Sequence, residues 1–423
     1  MRTKPITIKA CCMRSGRLQL LICLFALLFL TESCCKDKKI TIEHQIKMSA
    51  GSISGTKALI TDKETLIHNS YDQDTGFGVY GYKKTVKSSG TKHLMLFDDT
   101  EVKPDERNNL DTDWSYSPTR YWDSDPDVSY QFIAFWPHLP NVQPQDQNAP
   151  YVNVPKPATI TDNDKVITIY NVKNWQNVNG TDDVIDYMTA TRVGRYSDFN
   201  DGKVSFQFRH ALSQLVIKAY YAGKEEKTHE DEHGVITGGV RISSITLSNY
   251  TPADAQETAI FNQLKTDGKI EQAATAFNVM SGTVNSTLTQ KYDDRDASIT
   301  PTMTTTPYVL DHFLDIPIIF KDELSEDQNY LNNFQPVVVG QWLMVPHVWY
   351  KLNIMIDFSV GDADKQSSLL PVALVTENGY TTQPGKTYVL TLRFDTTGGG
   401  FTVEQVAVRN WNDFDVNKEL YNW

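Results

Sequence analysis

His229-Glu230-Asp231-Glu232-His233 fits the pattern H-E-x-x-H. That spacing supports zinc-hydrolase chemistry when two histidines one helical turn apart hold the metal and the glutamate between them acts as base. Here the intervening positions are acidic, the flank is Lys224-Glu225-Glu226-Lys227 and Gly234 follows at once. A solvated hairpin loop between residues 215–221 and 240–247 accounts for the same residues, and no catalysis is expected from them. Three acidic runs, Asp72-Gln73-Asp74-Thr75-Gly76, Asp123-Ser124-Asp125-Pro126-Asp127 and Asp293-Asp294-Arg295-Asp296, hold oxygen ligands of the kind calcium takes. None has the full loop spacing with a closing Glu, so turn chemistry explains them. Gly398-Gly399-Gly400 lacks the Lys and following helix of a phosphate loop and reads as a hairpin turn. The residues thus imply neither a metal nor a cofactor.

Aromatic side chains are the other chemical resource. Trp114, Tyr116, Tyr121, Trp122, Tyr130, Phe132, Phe135 and Trp136 form a cluster that could stack on sugar rings. It could equally be sandwich core, because Tyr130, Phe132 and Ala134 alternate as inward-facing positions do. The first reading makes the chain a lipid-anchored, glycan-binding surface protein; the second makes the same rings structural.

The elements that would position these residues are strands. Short alternating or β-branched runs at 166–170, 204–208, 215–221, 240–247, 315–320, 342–345, 350–358, 388–394 and 401–408 are separated by Gly, Pro, Asn and Asp, with no long amphipathic helical pattern among them. An all-β chain of sandwiches is expected. Its 423 residues suffice for two domains with their own cores. The polar stretch 195–203 separates an aromatic first half from a new strand series, which sets domains at 58–202 and 203–423. A formal charge of −12 argues against a nucleic-acid partner, whose phosphate contacts need clustered Lys and Arg.

The amino-terminal residues follow another logic. Arg2, Lys4, Lys9, Arg14 and Arg17 precede an apolar run over 18–30, which is too short to span a bilayer and suits a secretory signal peptide over 1–33. All five cysteines lie at or before position 35, so disulfides and thiolate chemistry are excluded from the rest of the chain. Removal of residues 1–33 takes away five basic residues and one acid, shifting the formal charge from −12 to −16. In the segment 34–57, Ile40, Ile42, Ile46 and Met48 occupy alternate positions and would share one face of a strand. Small, flexible residues follow around the single basic Lys57, as in a protease-accessible linker.

Several pieces, taken in order, resemble the fimbrillin family, the subunits of the lipoprotein-derived pili of Bacteroidales. They are Gly55-Thr56-Lys57-Ala58, Phe77-Gly78-Val79-Tyr80-Gly81-Tyr82, Trp114-Ser115-Tyr116 with Tyr121-Trp122, Tyr130-Gln131-Phe132-Ile133-Ala134-Phe135-Trp136-Pro137, the strand region 204–221 with His210-Ala211-Leu212-Ser213, Trp342-Leu343-Met344-Val345-Pro346, Pro384-Gly385-Lys386-Thr387-Tyr388 and residues 408–411. The resemblance implies two transthyretin-like β-sandwiches in tandem and export as an outer-membrane lipoprotein. It places the acylated cysteine at Cys34, which follows small Ser33 as in a lipobox. It also implies cleavage between Lys57 and Ala58 by a trypsin-like protease, exposure at the cell surface in a fimbrium, and assembly with other pilin subunits, like or unlike. Adhesion to a host or bacterial surface ligand would be the outcome. A donor strand from a neighbour would fill the groove left by the first strand. Phe414, Val416 and Leu420 alternate as such a donor should, yet Lys418 interrupts the face, and an ordinary terminal strand reads equally well.

Overall fold

In the computed structural model, the described residues are 44–50, 63–88, 90–141, 144–146, 149–153, 166–172, 175–178, 184–223, 229–230, 236–237, 239–249, 254–266, 286–291, 310–346, 351–361, 363–374 and 382–410. The chain divides into two units, Met1–His44 and Gln45–Trp423, and every element described lies in the second. The first eleven strands are β1 (Lys47–Ala50), β2 (Phe77–Lys87), β3 (Gly90–Pro104), β4 (Trp114–Ser115), β5 (Ser129–Trp136), β6 (Tyr151–Asn153), β7 (Val166–Val172), β8 (Trp175–Asn177), β9 (Met188–Arg195), β10 (Lys203–Phe206) and β11 (Arg209–His210). After them come β12 (Ser213–Ala222), β13 (His229–Glu230), β14 (Ile236–Thr237), β15 (Val240–Asn249), β16 (Ser286–Lys291), β17 (Leu310–Ile318), β18 (Phe320–Lys321), β19 (Val337–Met344), β20 (Leu352–Val360), β21 (Gln366–Val372), β22 (Lys386–Asp395) and β23 (Gly400–Asn410). The fold is all-β, and among the described residues helix is confined to α1 (Lys63–Asp72), α2 (Ala255–Thr266), the six-residue α3 (Gln328–Asn333) and two 3-10 turns.

An eight-stranded sheet has the order β10-β1-β4-β3-β2-β5-β9-β11. Both of its faces are covered, as β5 shows. Tyr130, Phe132 and Ala134 enter one core with Phe77, Trp114, Trp122 and Phe206, while the intervening Ile133 and Phe135 enter another with Tyr80, Tyr187 and Leu212. The expected inward alternation of Tyr130, Phe132 and Ala134 therefore holds for one face, and the residues between them are buried as well. α1 adds Leu66 and Ile67 to the first core, and Ser70 Oγ accepts a hydrogen bond from Trp136 Nε1 at 3.1 Å.

A six-stranded sheet follows, with the path β23-β22-β12-β19-β8 and β18 beside β12. Its centre, β12, is buried along its whole length and pairs parallel with β22 and antiparallel with β19. Leu215, Ile217, Ala219 and Tyr221 of β12 pack with Trp342, Tyr388, Leu390 and Phe394 against Ile242, Ile245, Ile354 and Ile356 from a four-stranded sheet, β17-β15-β20-β21. Two sheets stacked on an apolar filling are the sandwich arrangement. Gly340 is required there, because a Cβ would lie 2.1 Å from the Trp342 ring. The chain passes from the eight-stranded to the six-stranded sheet between His210 and Ser213, and β8 already belongs to the latter.

The run expected at 166–170 is β7, that at 240–247 is β15, that at 401–408 is β23, and the others fall likewise within strands or at their ends. The helices have no counterpart in the sequence pattern. In α1 the buried residues are Leu66, Ile67 and Ser70, too few and too polar to mark an apolar stripe.

Candidate functional site

The segment Gln45–Ala50 is built into the sheet interior. Ile46, Met48 and Ala50 alternate and are 0%, 1% and 1% exposed, while Lys47 between them faces solvent. β1 pairs parallel with β10, Met48 lying opposite Val204 and Ala50 opposite Phe206. On its other side Met48 lies opposite Trp114 in antiparallel β4. The slot that receives these side chains is aromatic: the Phe77 ring centre is 4.9 Å from that of Trp114 and 5.5 Å from that of Phe206.

Just ahead of the strand, Ile46 N–H donates to the Arg120 carbonyl at 2.9 Å, and the Tyr116 hydroxyl donates to the Ile46 carbonyl. Burial raises the Tyr116 hydroxyl above its ordinary range, so it stays a donor at neutral pH. Gln45 bridges to Tyr121. Both edges of this short strand are therefore bonded, and one face is wholly inside a core. Among the described residues β10 pairs with no strand other than β1. Loss of β1 would strip β10 of its ladder and expose a second edge at β4.

Of the residues singled out in the sequence, Ile46 and Met48 lie in this slot. Cys34, Ile40, Ile42, Lys57, Ala58, Phe414, Val416 and Leu420 lie outside the described residues. Sequence reasoning did not find the strand's partners. A two-residue β4 leaves no periodic signal, and the parallel match to β10 joins segments more than 150 residues apart in sequence.

A family model described as fimbrillin-like matches residues 63–411. The chain belongs to the fimbrillin-like family. No curated protein matches it. Among solved structures, a fimbrial protein from Bacteroides vulgatus is similar at 14% identity and a TM-score of 0.49, over 87% of this chain and 99% of the other. A chain from Bacteroides uniformis, described in terms of cell adhesion, has 14% identity and a TM-score of 0.39, over 87% and 98%. One from Bacteroides ovatus with the same kind of description has 10% identity and a TM-score of 0.40, over 87% and 97%.

The other candidate sets in this fimbrillin-like chain have structural roles. Of the eight aromatics between Trp114 and Trp136, Tyr121 is 46% exposed and Tyr116 is partly buried; the other six are in the cores. Trp122 is held on every side: its Nε1 donates to the Gly202 carbonyl at 3.0 Å, its ring stacks on Phe199 at 5.1 Å, and it meets Tyr130 edge-on at 4.6 Å. Rings so engaged cannot present a flat face to a sugar, and this overturns the platform expectation for the set.

His229 and Glu230 are in extended β13, paired antiparallel with Ile236 and Thr237 of β14, which is a hairpin and not the helix a zinc-hydrolase pair needs. His233 lies outside the described residues. Among the described residues no group of three or more His, Cys, Asp or Glu could hold a metal ion. In the run Asp123–Asp127, Asp123 accepts from Asp125 N–H at 2.9 Å and from Lys83, Asp125 accepts from Asp127 N–H at 3.0 Å, and Asp127 pairs with Arg195 at 3.7 Å. Asp72 pairs with Arg107, and Asp74 with Lys103. The segment 396–399 turns β22 into β23 with Gly399 at φ +68°, and a hydrogen bond from the Thr397 hydroxyl helps hold the Asp395 carboxyl down at about 2.

One buried polar pair was not anticipated. Asp186 and His210, 0% and 4% exposed, meet at 2.9 Å where the chain crosses between sheets. The fragment His210-Ala211-Leu212-Ser213 named the position but not the partner, since Asp186 sits 24 residues upstream.

Proposed function

We propose that this fimbrillin-like chain is a pilus subunit that assembles by strand exchange at the cell surface and contributes to adhesion. In this reading the precursor is exported, acylated at Cys34 and anchored in the outer membrane as two transthyretin-like sandwiches in tandem. A trypsin-like protease then cuts between Lys57 and Ala58, β1 leaves, and a strand from another subunit enters the slot. Phe414, Val416 and Leu420 are the candidate donor side chains.

The observation that carries the reading is β1 itself. A short strand near one end of the chain is inserted between two others, with Ile46, Met48 and Ala50 fully enclosed. Burying Ile46 and Met48 stabilises by about 3–6 kcal/mol. Against a typical domain stability of about 5–15 kcal/mol, a sheet that has lost them strongly favours a substitute.

Limited proteolysis of the purified precursor tests this. Cleavage is expected to give a chain whose first residue is Ala58 and which then forms ordered oligomers. A cleaved chain that stays monomeric and as stable as the precursor would overturn the reading.

A further inference from the structure

The ladder between β4 and β1 is interrupted by a loop. Met48 lies opposite Trp114, whereas Gln45, three positions back, lies opposite Tyr121, seven positions on, so residues 116–120 bow out between the two pairings. The loop turns back onto Ile46 and takes both of its backbone groups. The Arg120 carbonyl accepts from Ile46 N–H at 2.9 Å, and the Tyr116 hydroxyl donates to the Ile46 carbonyl. That hydroxyl also lies 3.5 Å from the Arg120 backbone nitrogen, so one oxygen joins the two ends of the loop to the strand.

The Tyr116 ring meets Phe97 of β3 edge-on at 5.3 Å, which sets the direction of its hydroxyl. Away from Ile46 the loop has room. Ser117, Pro118 and Thr119 are exposed, and Ser115 to Pro118 with Arg120 front a cavity of about 710 Å³ whose other wall is β3 between Met95 and Lys103. β4 itself is only two residues long and pairs with β3 at Lys103 and Pro104 alone. The loop can therefore swing off Ile46 without disturbing a strand.

We propose that the 116–120 loop is a clamp that retains β1 after the chain has been cut, with Tyr116 as its catch, so that cleavage and release are separate steps. The inference rests on the strand-exchange reading of β1. A cut past Ala50 frees the strand at its Ala50 end, where the ladder to Phe206 opens first. Ile46 is at the opposite end, gripped at both backbone groups, and parts last. It is wholly buried, so breaking the hydroxyl bond leaves a buried carbonyl without a partner for as long as the strand stays in its slot. A cut subunit thus keeps its core closed until the clamp opens.

Tyr116→Phe in the full-length protein tests the clamp, because the ring stays against Phe97 and only the hydroxyl is lost. In the uncut protein, amide exchange at Ile46, Val204, Ser205 and Phe206 is expected to run about tenfold faster than in the parent, with β2 and β5 unchanged. Thr119→Ala, on an exposed side chain of the same loop, should leave all of these amides as they are. Unchanged exchange at Ile46, or an equal loss of protection in β2 and β5, would overturn the proposal. After limited trypsin treatment, gel filtration followed by mass spectrometry is expected to find the β1 fragment still bound to the parent, and lost about tenfold sooner from the variant. Equal retention in the two proteins, or loss from the parent as fast as the cut itself, would overturn it as well. Fragment loss at the expected rates with no assembly afterwards would uphold the clamp and refute strand exchange.

Discussion

Truncation inside the β1 slot is the most direct perturbation. Ile46 and Met48 are 0% and 1% exposed, and the core around them already holds Phe77, Trp114 and Phe206 in mutual contact. The rigid rings that share this core limit collapse into the space left, so Ile46→Ala and Met48→Ala each cost about 2–5 kcal/mol. Lys47→Ala, on the exposed side of the same strand, costs at most about 0.5 kcal/mol. With urea slopes of about 1–3 kcal/mol/M, the core variants lower the midpoint by roughly 1 M relative to Lys47→Ala. The double variant falls short of the sum, because both side chains fill one slot. Amide exchange gives a local reading: Val204, Ser205 and Phe206 pair with β1 alone among strands, so their protection falls before that of β2 or β5. If the Ile46 and Met48 variants matched Lys47→Ala within about 0.5 kcal/mol, or β10 kept full protection, the claim that β1 plugs this core would fail.

Three further outcomes are expected. Asp186→Ala removes a fully buried carboxylate that meets His210 at 2.9 Å and should cost about 1–3 kcal/mol in urea unfolding, more than a surface carboxylate removed elsewhere. Trp122→Ala removes a ring stacked on Phe199 and bonded to Gly202, so about 3–5 kcal/mol of stability should be lost instead of a sugar-binding activity, as a melting curve beside a glycan array would read. Asp357 accepts from Ser367 Oγ at 2.6 Å and Ser244 Oγ at 2.7 Å, which hold its carboxyl below the usual range. A lowered folded pKa stabilises above the unfolded value near 3.9 and is lost as pH falls through the folded value, so acid unfolding of Asp357→Asn should depend less on pH below about 4 than that of the parent.

The strand set was legible because its signal is local. Residues 240–247 and 388–394 alternate or run β-branched over a few positions, and they become β15 and β22 with little change of bounds. β3, which spans Gly90–Pro104, escaped notice because its apolar residues are scattered among charged ones and much of it is exposed. α1 and α2 escaped because Lys63–Asp72 and Ala255–Thr266 carry no apolar stripe of helical period. The slot was half legible. Alternation from Ile46 to Met48 told which face is buried, but pairing with β10 and β4 is a long-range choice that no local pattern encodes. The aromatic cluster was ambiguous in sequence because core and sugar platforms use the same rings, and only burial separates the two.

The topology bears on why β1, of all the interior strands, is the one we propose is replaced. Removing β2 or β5 from the eight-stranded sheet would take two backbone cuts, since each is joined to further strands on both sides in the chain. A single cut anywhere between Ala50 and Lys63 frees β1 from every other element described. What it leaves is an unpaired edge on β10, another on β4, and a core emptied of the alternate side chains Ile46, Met48 and Ala50. In the exchange we propose, an incoming strand would bond both edges and place apolar residues two apart, as Ile46, Met48 and Ala50 do.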